Sequence, residues 1–290
     1  MIKWMGTQYR FHPLFVLLML LSMFTGYFME LLILFGIVFI HEMGHVAAAK
    51  SFGWNVTEVM LLPFGGVAAV DDAGGKPVLQ DIAVALAGPL QNVLMAGLAL
   101  WFEDRGWWTT EWTQYFVTAN MMIGGFNLLP IQPLDGGRVM QALVSLWMSY
   151  HRTLMVCAWI GLASGAGVVI YSLFGTGTHI HLNLLILGLF LVYSNWYGYL
   201  HAPYFFLRYM MHRDRRASLL EEKGVIALPI VVRPTRKIAH IVKLFKRDKY
   251  HLIYVINEQG TIMKVLPEQK ITRSYYLENK PSSAVSELFM

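Results

Sequence analysis

Cysteine and charged residues are scarce in this sequence, and both shortages restrict what the protein can be. The 290 residues include a single cysteine, Cys157, which excludes an intrachain disulfide and a cysteine-rich metal site. Charged residues make up 14% of the chain, against about 25% in ordinary soluble domains. The net charge is +5, but the sequence carries no nucleic-acid-binding motif. The composition therefore favours an integral membrane protein and excludes nucleic acid as the expected partner.

The missing charges leave long apolar stretches in the first two hundred residues. A helix needs about 20 apolar residues to cross the hydrocarbon core of a bilayer. A glycine-rich polar segment at 174–181 divides the longest stretch, so we predict six spans: 11–29, 31–51, 82–102, 112–134 with its end near Leu129, and two within 153–207. Lys and Arg concentrate in alternate loops, which predicts that both termini are cytosolic.

The predicted fold class is an all-α polytopic membrane domain at 1–204 followed by a small α+β domain at 225–290. Between the second and third spans, proline and glycine at 60–77 predict a β-hairpin or re-entrant loop. The charged segment 205–224 is predicted to be a helical linker. Residues 225–277 predict the order β-α-β-β-α, with a helix at 235–249 whose apolar side chains recur at helical spacing.

The motif HEMGH at 41–45 places two histidines and a glutamate in an otherwise apolar helix. His41 and His45 are four residues apart and therefore share one helix face, which is the geometry for two imidazoles on one zinc ion. Glu42 lies beside them and is predicted to be the catalytic base. A metal also compensates the cost of ionisable side chains in a membrane helix.

A catalytic zinc commonly has three protein ligands, so a third is expected. Asp135 is the candidate, because it follows the fourth span, at the same predicted membrane depth as the histidines. Its alternative role is to cap the helix that begins beside it. Asn127, near the same level, is predicted either to bind substrate or an oxyanion or to make a hydrogen bond between helices.

The paired motifs HEMGH and NLLPIQPLDGG (127–137) resemble those of the site-2 protease family of intramembrane zinc metalloproteases. LLPFGG (61–66), AGPLQN (87–92) and six spans resemble its sporulation branch. The resemblance implies zinc bound by His41, His45 and Asp135, with Glu42 as base. It also implies a sigma-factor precursor as substrate, inhibitory membrane partners, and a location in the membrane around the forespore. Phe64, Gly65 and Gly66, in the hairpin, are predicted to bind substrate by strand addition.

The segment 225–277 resembles a single CBS module, which implies adenine-nucleotide binding and self-association into a homo-oligomer. It lacks the Thr/Ser–Asp pattern that holds ribose in that family, so a docking surface for substrate is the alternative. Two other functions compete with the protease. A metal-ion transporter would carry polar residues in several spans, and a non-cleaving binding relative would have no need of Glu42.

Overall fold

The computed structural model describes residues 2–4, 7–11, 13–62, 65–70, 76–175, 181–278 and 281–289. In chain order the elements within these residues are β1 (Ile2–Trp4), β2 (Thr7–Phe11), α1 (Pro13–Thr25), α2 (Phe28–Ser51), β3 (Val56–Leu62), β4 (Gly65–Val70), α3 (Val78–Asp104), α4 (Thr110–Asn127), α5 (Asp135–Trp147), α6 (Tyr150–Phe174), α7 (Leu182–Lys223), β5 (Ala227–Val232), α8 (Ile238–Val242), β6 (Tyr250–Ile256), β7 (Ile262–Pro267), α9 (Glu268–Tyr276) and a 3₁₀ turn (Val285–Leu288). They form two compact units, Met1–Asp72 with Leu79–Val139 and Ala73–Val78 with Met140–Met290.

Long apolar helices occupy the stretches predicted to cross the membrane. By length and composition α2, α3 and α6 can each span a bilayer. Leu90, Leu94 and Leu98 of α3 are each more than half exposed, which suits a helix face turned toward lipid. The other three predicted spans coincide with α1, α4 and the first part of α7, and the count of six stays a prediction.

The first unit contains the predicted hairpin, as part of a larger sheet. β3 and β4 pair antiparallel, with Leu62 opposite Gly65. The sheet order is β1-β2-β3-β4, and β2 pairs with β3 in parallel. The sequence predicts no strand in the first eleven residues. Strands of three and five residues are too short for an alternating pattern, and β2 is stabilised by a partner about 50 residues away.

The second unit has a mixed three-stranded sheet of order β5-β6-β7, in which β5 and β6 are parallel and β6 and β7 antiparallel. The predicted β-α-β-β-α order is present, but the helix predicted at 235–249 is wrong in length. Only Ile238–Val242 is α-helical, because the chain continues through tighter turns, in which Phe245 N–H donates to Val242 carbonyl. Asp248 then reverses the chain with a φ of 58°.

The core of the second unit is shared between its helices and its sheet. Tyr150 of α6 and Phe206, Tyr209 and Met210 of α7 are buried with the apolar residues of the sheet and of α8. The segment predicted as a charged linker is the last part of α7, which continues without a break to Lys223. The boundaries at 204 and 224 stay predictions, although the contacts join the small domain to the helices before it.

Candidate metal centre

Three side chains predicted as zinc ligands converge in the first unit. His41 and His45 come from one face of α2, and Asp135 is the first residue of α5. The Nε2 atoms of the two histidines are 3.2 Å apart, and each lies 3.1 Å from Oδ2 of Asp135. All three residues are at most 9% exposed. Residues 94 positions apart in the chain are thus brought to a single point.

The outer nitrogens of both imidazoles are held by hydrogen-bond acceptors. Nδ1 of His45 donates to the carbonyl of Val84 over 2.7 Å, and Nδ1 of His41 donates to Oδ1 of Asn92. The orientation of Asn92 is fixed in turn, because its Nδ2 donates to Oδ1 of Asn120 over 3.1 Å. With Nδ1 protonated, each neutral imidazole turns a lone pair inward at Nε2.

The geometry and the chemistry of these donor atoms fit a zinc ion. Two Nε2 lone pairs and a carboxylate oxygen face one another, so three acceptors converge on a point where only a cation or shared protons can satisfy them. Zinc bonds of 2.0–2.1 Å in a tetrahedron place neighbouring ligand atoms about 3.3 Å apart. The observed separations of 3.1 to 3.2 Å are close to this value.

Two glycines allow α2 and α3 to approach each other beside the histidines. A Cβ on Gly44 would lie 2.6 Å from Cγ of Gln91 and 2.7 Å from the carbonyl oxygen of Ala87. A Cβ on Gly88 would overlap Nε2 of His45 and lie 2.7 Å from Nε2 of His41. Small residues permit such close helix packing in membranes. The backbone of Gly88 therefore forms one wall of the site.

The turn before α5 presents Asp135 to the histidines. Residues 128–134 fold back onto the helix start through short-range hydrogen bonds such as Leu134 N–H to Ile131 carbonyl. A Cβ on Gly136 would overlap the carbonyl of Leu128, and one on Gly137 would lie 2.5 Å from the carbonyl carbon of Ile131. Glycine is therefore required at both positions directly after the carboxylate.

The structure locates most of the remaining predicted site residues but does not show their roles. Glu42 is buried in the same helical turn as His41, 9% exposed. Asn127 ends α4 and its amide donates to the carbonyl of Ile123 over 3.1 Å, a bond within its own helix. Gly65 and Gly66 begin β4, whereas Phe64 lies outside the described residues. The catalytic and substrate-binding roles of these residues stay predictions.

The residues that hold the proposed ligands in place were not predicted from the sequence. Gly88 and Asn92 lie in the AGPLQN segment, which contributes to the family resemblance alone. An asparagine amid apolar residues of a membrane helix is the available signal, because an amide in hydrocarbon needs a partner. Asn120 gives the same signal in α4. The carbonyl of Val84 gives none, since every residue has one.

Apolar membrane-type helices that carry an HExxH pair and a convergent aspartate define the class of membrane metalloproteases. Comparison with known proteins gives the same class. Residues 29–104 and 104–166 match the model of peptidase family M50. The stage IV sporulation protein FB of Bacillus subtilis is 29% identical over 301 residues, covering 99% of each chain. A zinc metalloprotease of Methanocaldococcus jannaschii is 29% identical over 202 residues, covering 66% of this chain and 58% of the relative.

A solved structure agrees with these matches. The site-2 protease from Methanocaldococcus jannaschii superposes with a TM-score of 0.54 at 26% identity, covering 69% of this chain and 94% of that one. Residues 29–166 are thus similar to peptidase family M50, the family of the site-2 proteases, and the full-length relative and the solved structure extend this similarity beyond them. Its relatives include zinc metalloproteases and a sporulation protein.

Proposed function

We propose that this protein is an intramembrane zinc metalloendopeptidase that cuts a membrane-associated protein. The observation that carries the proposal is the convergence of His41, His45 and Asp135, whose donor atoms lie 3.1 to 3.2 Å apart among apolar helices. When bound there, zinc supplies a Lewis acid for a carbonyl and lowers the pKa of water toward about 7. Glu42 takes the proton of the attacking water and gives it to the leaving amine.

The substrate segment is bound as a strand. Within the described residues β4 is the outer strand of its sheet, so one row of its backbone N–H and C=O groups is available to another strand. A helical substrate must unwind before its carbonyls can be attacked, and strand addition holds it extended. Asn127, whose amide is bonded within α4, remains the proposed oxyanion or substrate contact at this level.

The biological setting is proposed from the relative that matches the full length. The substrate is the precursor of a sporulation sigma factor, cut near its N-terminal pro-segment in the membrane around the forespore. The chain has six spans and both termini in the cytosol, and inhibitory membrane proteins keep the enzyme inactive. The C-terminal segment is a CBS-like module that docks substrate and pairs with a second copy. Adenine-nucleotide binding is its alternative role.

Replacing Glu42 tests whether the protein is a protease with Glu42 as its catalytic base. Wild type and Glu42→Gln are co-expressed with the sigma-factor precursor, and zinc content and cleavage are measured in both. We expect the variant to keep its zinc and to cut at least about 100-fold more slowly, because a positioned general base contributes 10²–10⁴-fold. Glu30→Gln is the matched control, since Glu30 lies in the first turn of the same helix and should leave cleavage intact.

Three results would count against the proposal. Wild type that binds zinc but cuts none of the membrane-tethered proteins offered would favour a non-cleaving relative. Zinc flux into proteoliposomes would instead identify a transporter. Undiminished cleavage by Glu42→Gln would leave the enzyme standing and remove Glu42 as its base.

A further inference from the structure

The first turn of α3 connects the two helices that carry the metal ligands. Nε1 of Trp54, three residues beyond the end of α2, donates to Oε1 of Gln80 over 3.1 Å. Arg138, three residues beyond Asp135 on α5, donates from Nη2 to Oδ1 of Asp81 over 3.4 Å. A shift of this turn would therefore move the hydrogen-bond partners of Trp54, which follows α2, and of Arg138, which lies on α5.

The start of the same helix is held by a loop from the C-terminal part of the chain. Oδ2 of Asp248 accepts the backbone N–H of Val78, the first residue of α3, over 2.7 Å. Nη2 of Arg247 donates to the carbonyl of Lys76 over 2.9 Å, and Arg247 is 5% exposed. These contacts join residues about 170 positions apart within the second compact unit.

The bond from Val78 to Asp248 has the form of a helix cap supplied by a distant residue. The first four N–H groups of a helix have no partner within it, and a side-chain oxygen normally provides one from the residue just before. A carboxylate is especially suitable, because the N-terminus of a helix carries a partial positive charge. Asp248 adopts a left-handed backbone conformation with a φ of 58°, which is energetically unfavourable for most residues. This conformation positions its side chain to make the cap.

The helix that begins at this cap carries the atoms that orient the histidines. Val84 accepts from His45, Asn92 accepts from His41, and Gly88 packs against both Nε2 atoms. We infer that Asp248 is a positioning residue for the metal centre. Through the cap on α3, the C-terminal part of the chain sets the geometry in which zinc is held. This inference rests on the proposed function, since it assumes that zinc is the bound metal.

Substitutions at Asp248 separate the effect of losing the cap from the effect of the positive φ. Asp248→Gly adopts a positive φ without cost but loses the carboxylate, whereas Asp248→Asn keeps both the backbone preference and an oxygen acceptor. In full-length detergent-solubilised protein, we expect Asp248→Gly to lose zinc to a competing chelator about fivefold more readily, the factor that corresponds to a lost helix cap. Its kcat should fall while KM is unchanged, and deuterium uptake at 76–84 should rise.

Two controls make the result specific. Asp248→Asn should restore zinc retention, kcat and deuterium uptake to wild-type values. Glu258→Gly removes a carboxylate from an exposed turn of the same domain and should change none of them. A folded Asp248→Gly with wild-type zinc retention and deuterium uptake would overturn the inference. If wild type itself neither binds zinc nor cuts, the proposed function fails instead, so the two failures are distinguishable.

Discussion

The convergence of the three proposed metal ligands could be predicted from side-chain chemistry and spacing, whereas the residues that orient them could not. Two histidines four apart in a helix share a face whatever the rest of the fold does, so His41 and His45 were identifiable from one segment. The prediction of Asp135 required the assumption that its helix and the histidine helix reach the same membrane depth. The structure brings Asp135 to the histidines. The contact of Gly88 with both Nε2 atoms depends on how closely two helices approach, which no local pattern encodes.

Adding a single carbon atom at Gly88 should weaken zinc binding. Gly88→Ala adds a Cβ that overlaps Nε2 of His45 and crowds Nε2 of His41. We expect it to weaken zinc binding at least about tenfold, the lower range for disturbing groups that orient metal ligands. Alanine favours a helix more than glycine does, so the loss would not come from helix propensity. Chelator competition on purified protein measures it.

Gly97→Ala provides the matched control in the same helix. Among the residues that the structure describes, a Cβ on Gly97 meets no atom outside its own helical backbone within 4 Å, so this variant should bind zinc as wild type does. Equal zinc affinity in Gly88→Ala and Gly97→Ala would show that the two histidine Nε2 atoms are not the metal-binding atoms.

Among the elements, the apolar helices and the strands of the C-terminal order were predictable because their patterns are local. The hairpin of β3 and β4 was also predictable as one of two alternatives for 60–77, from the proline and glycines there. The strands β1 and β2 were not, since β2 gains its partner β3 from about 50 residues away and β1 pairs with β2. For α8 the error is the opposite one, because the local apolar pattern predicted a helix that is too long. The apolar residues Ile238, Ile241, Val242 and Phe245 that favoured a longer helix are all fully buried, yet the helix ends after five residues because the chain must turn into β6.

The position of β4 supports a prediction about substrate binding. In an antiparallel pair, successive N–H groups of a strand point alternately to the partner and away from it. Proline removes the N–H, so Val67→Pro and Ala68→Pro remove one group of each kind. The variant that loses the outward N–H should keep its zinc and its fold but lose at least about tenfold in kcat/KM, because strand addition uses that row.

Comparing the two proline variants identifies which N–H matters. The variant that loses the inward N–H also breaks the pairing with β3, and it should show greater hydrogen exchange in both strands. If the variant with an intact β3–β4 pair cuts the precursor at the wild-type rate, β4 is not the strand on which substrate is bound.

At the scale of the molecule, a buried charged cluster joins the long helix α7 to the small sheet domain. Arg213 of α7 is 4% exposed and donates to both carboxylate oxygens of Glu268, over 3.1 and 2.9 Å. It also donates to the carbonyls of Lys246 and Lys249. The cluster and the shared apolar core explain how about 60 residues, few for an independent core, form an ordered domain. A bidentate buried pair fixes orientation, since removal of either partner leaves a buried charge.

His251 makes this cluster sensitive to acid. Its Nε2 accepts the backbone N–H of Lys246, and its Nδ1 lies 3.1 Å from Oε2 of Glu268 and 2.9 Å from Nη2 of Arg213. Burial lowers the pKa of His251 below 6.5 and the charge of Arg213 lowers it further, although the bond to Glu268 opposes both. Burial raises the pKa of Glu268, but hydrogen bonds and charges from His251 and Arg213 outweigh it and hold the pKa below 4.5.

The sign of the resulting pH dependence follows from where the unfolded chain takes up protons. Unfolded His251 binds a proton near pH 6.5, whereas folded His251 stays neutral to lower pH, so the free energy of unfolding falls as pH drops below 6.5. Unfolded Glu268 adds a second loss below about pH 4.5. We expect hydrogen exchange in β6 and α9 of wild type to accelerate between pH 7 and 5.5 relative to His251→Gln at each pH. Because the glutamine side chain does not titrate, equal pH dependence in the two proteins would mean that the pKa of His251 is the same in the folded and the unfolded chain, which would contradict the lowered pKa inferred from its burial beside Arg213.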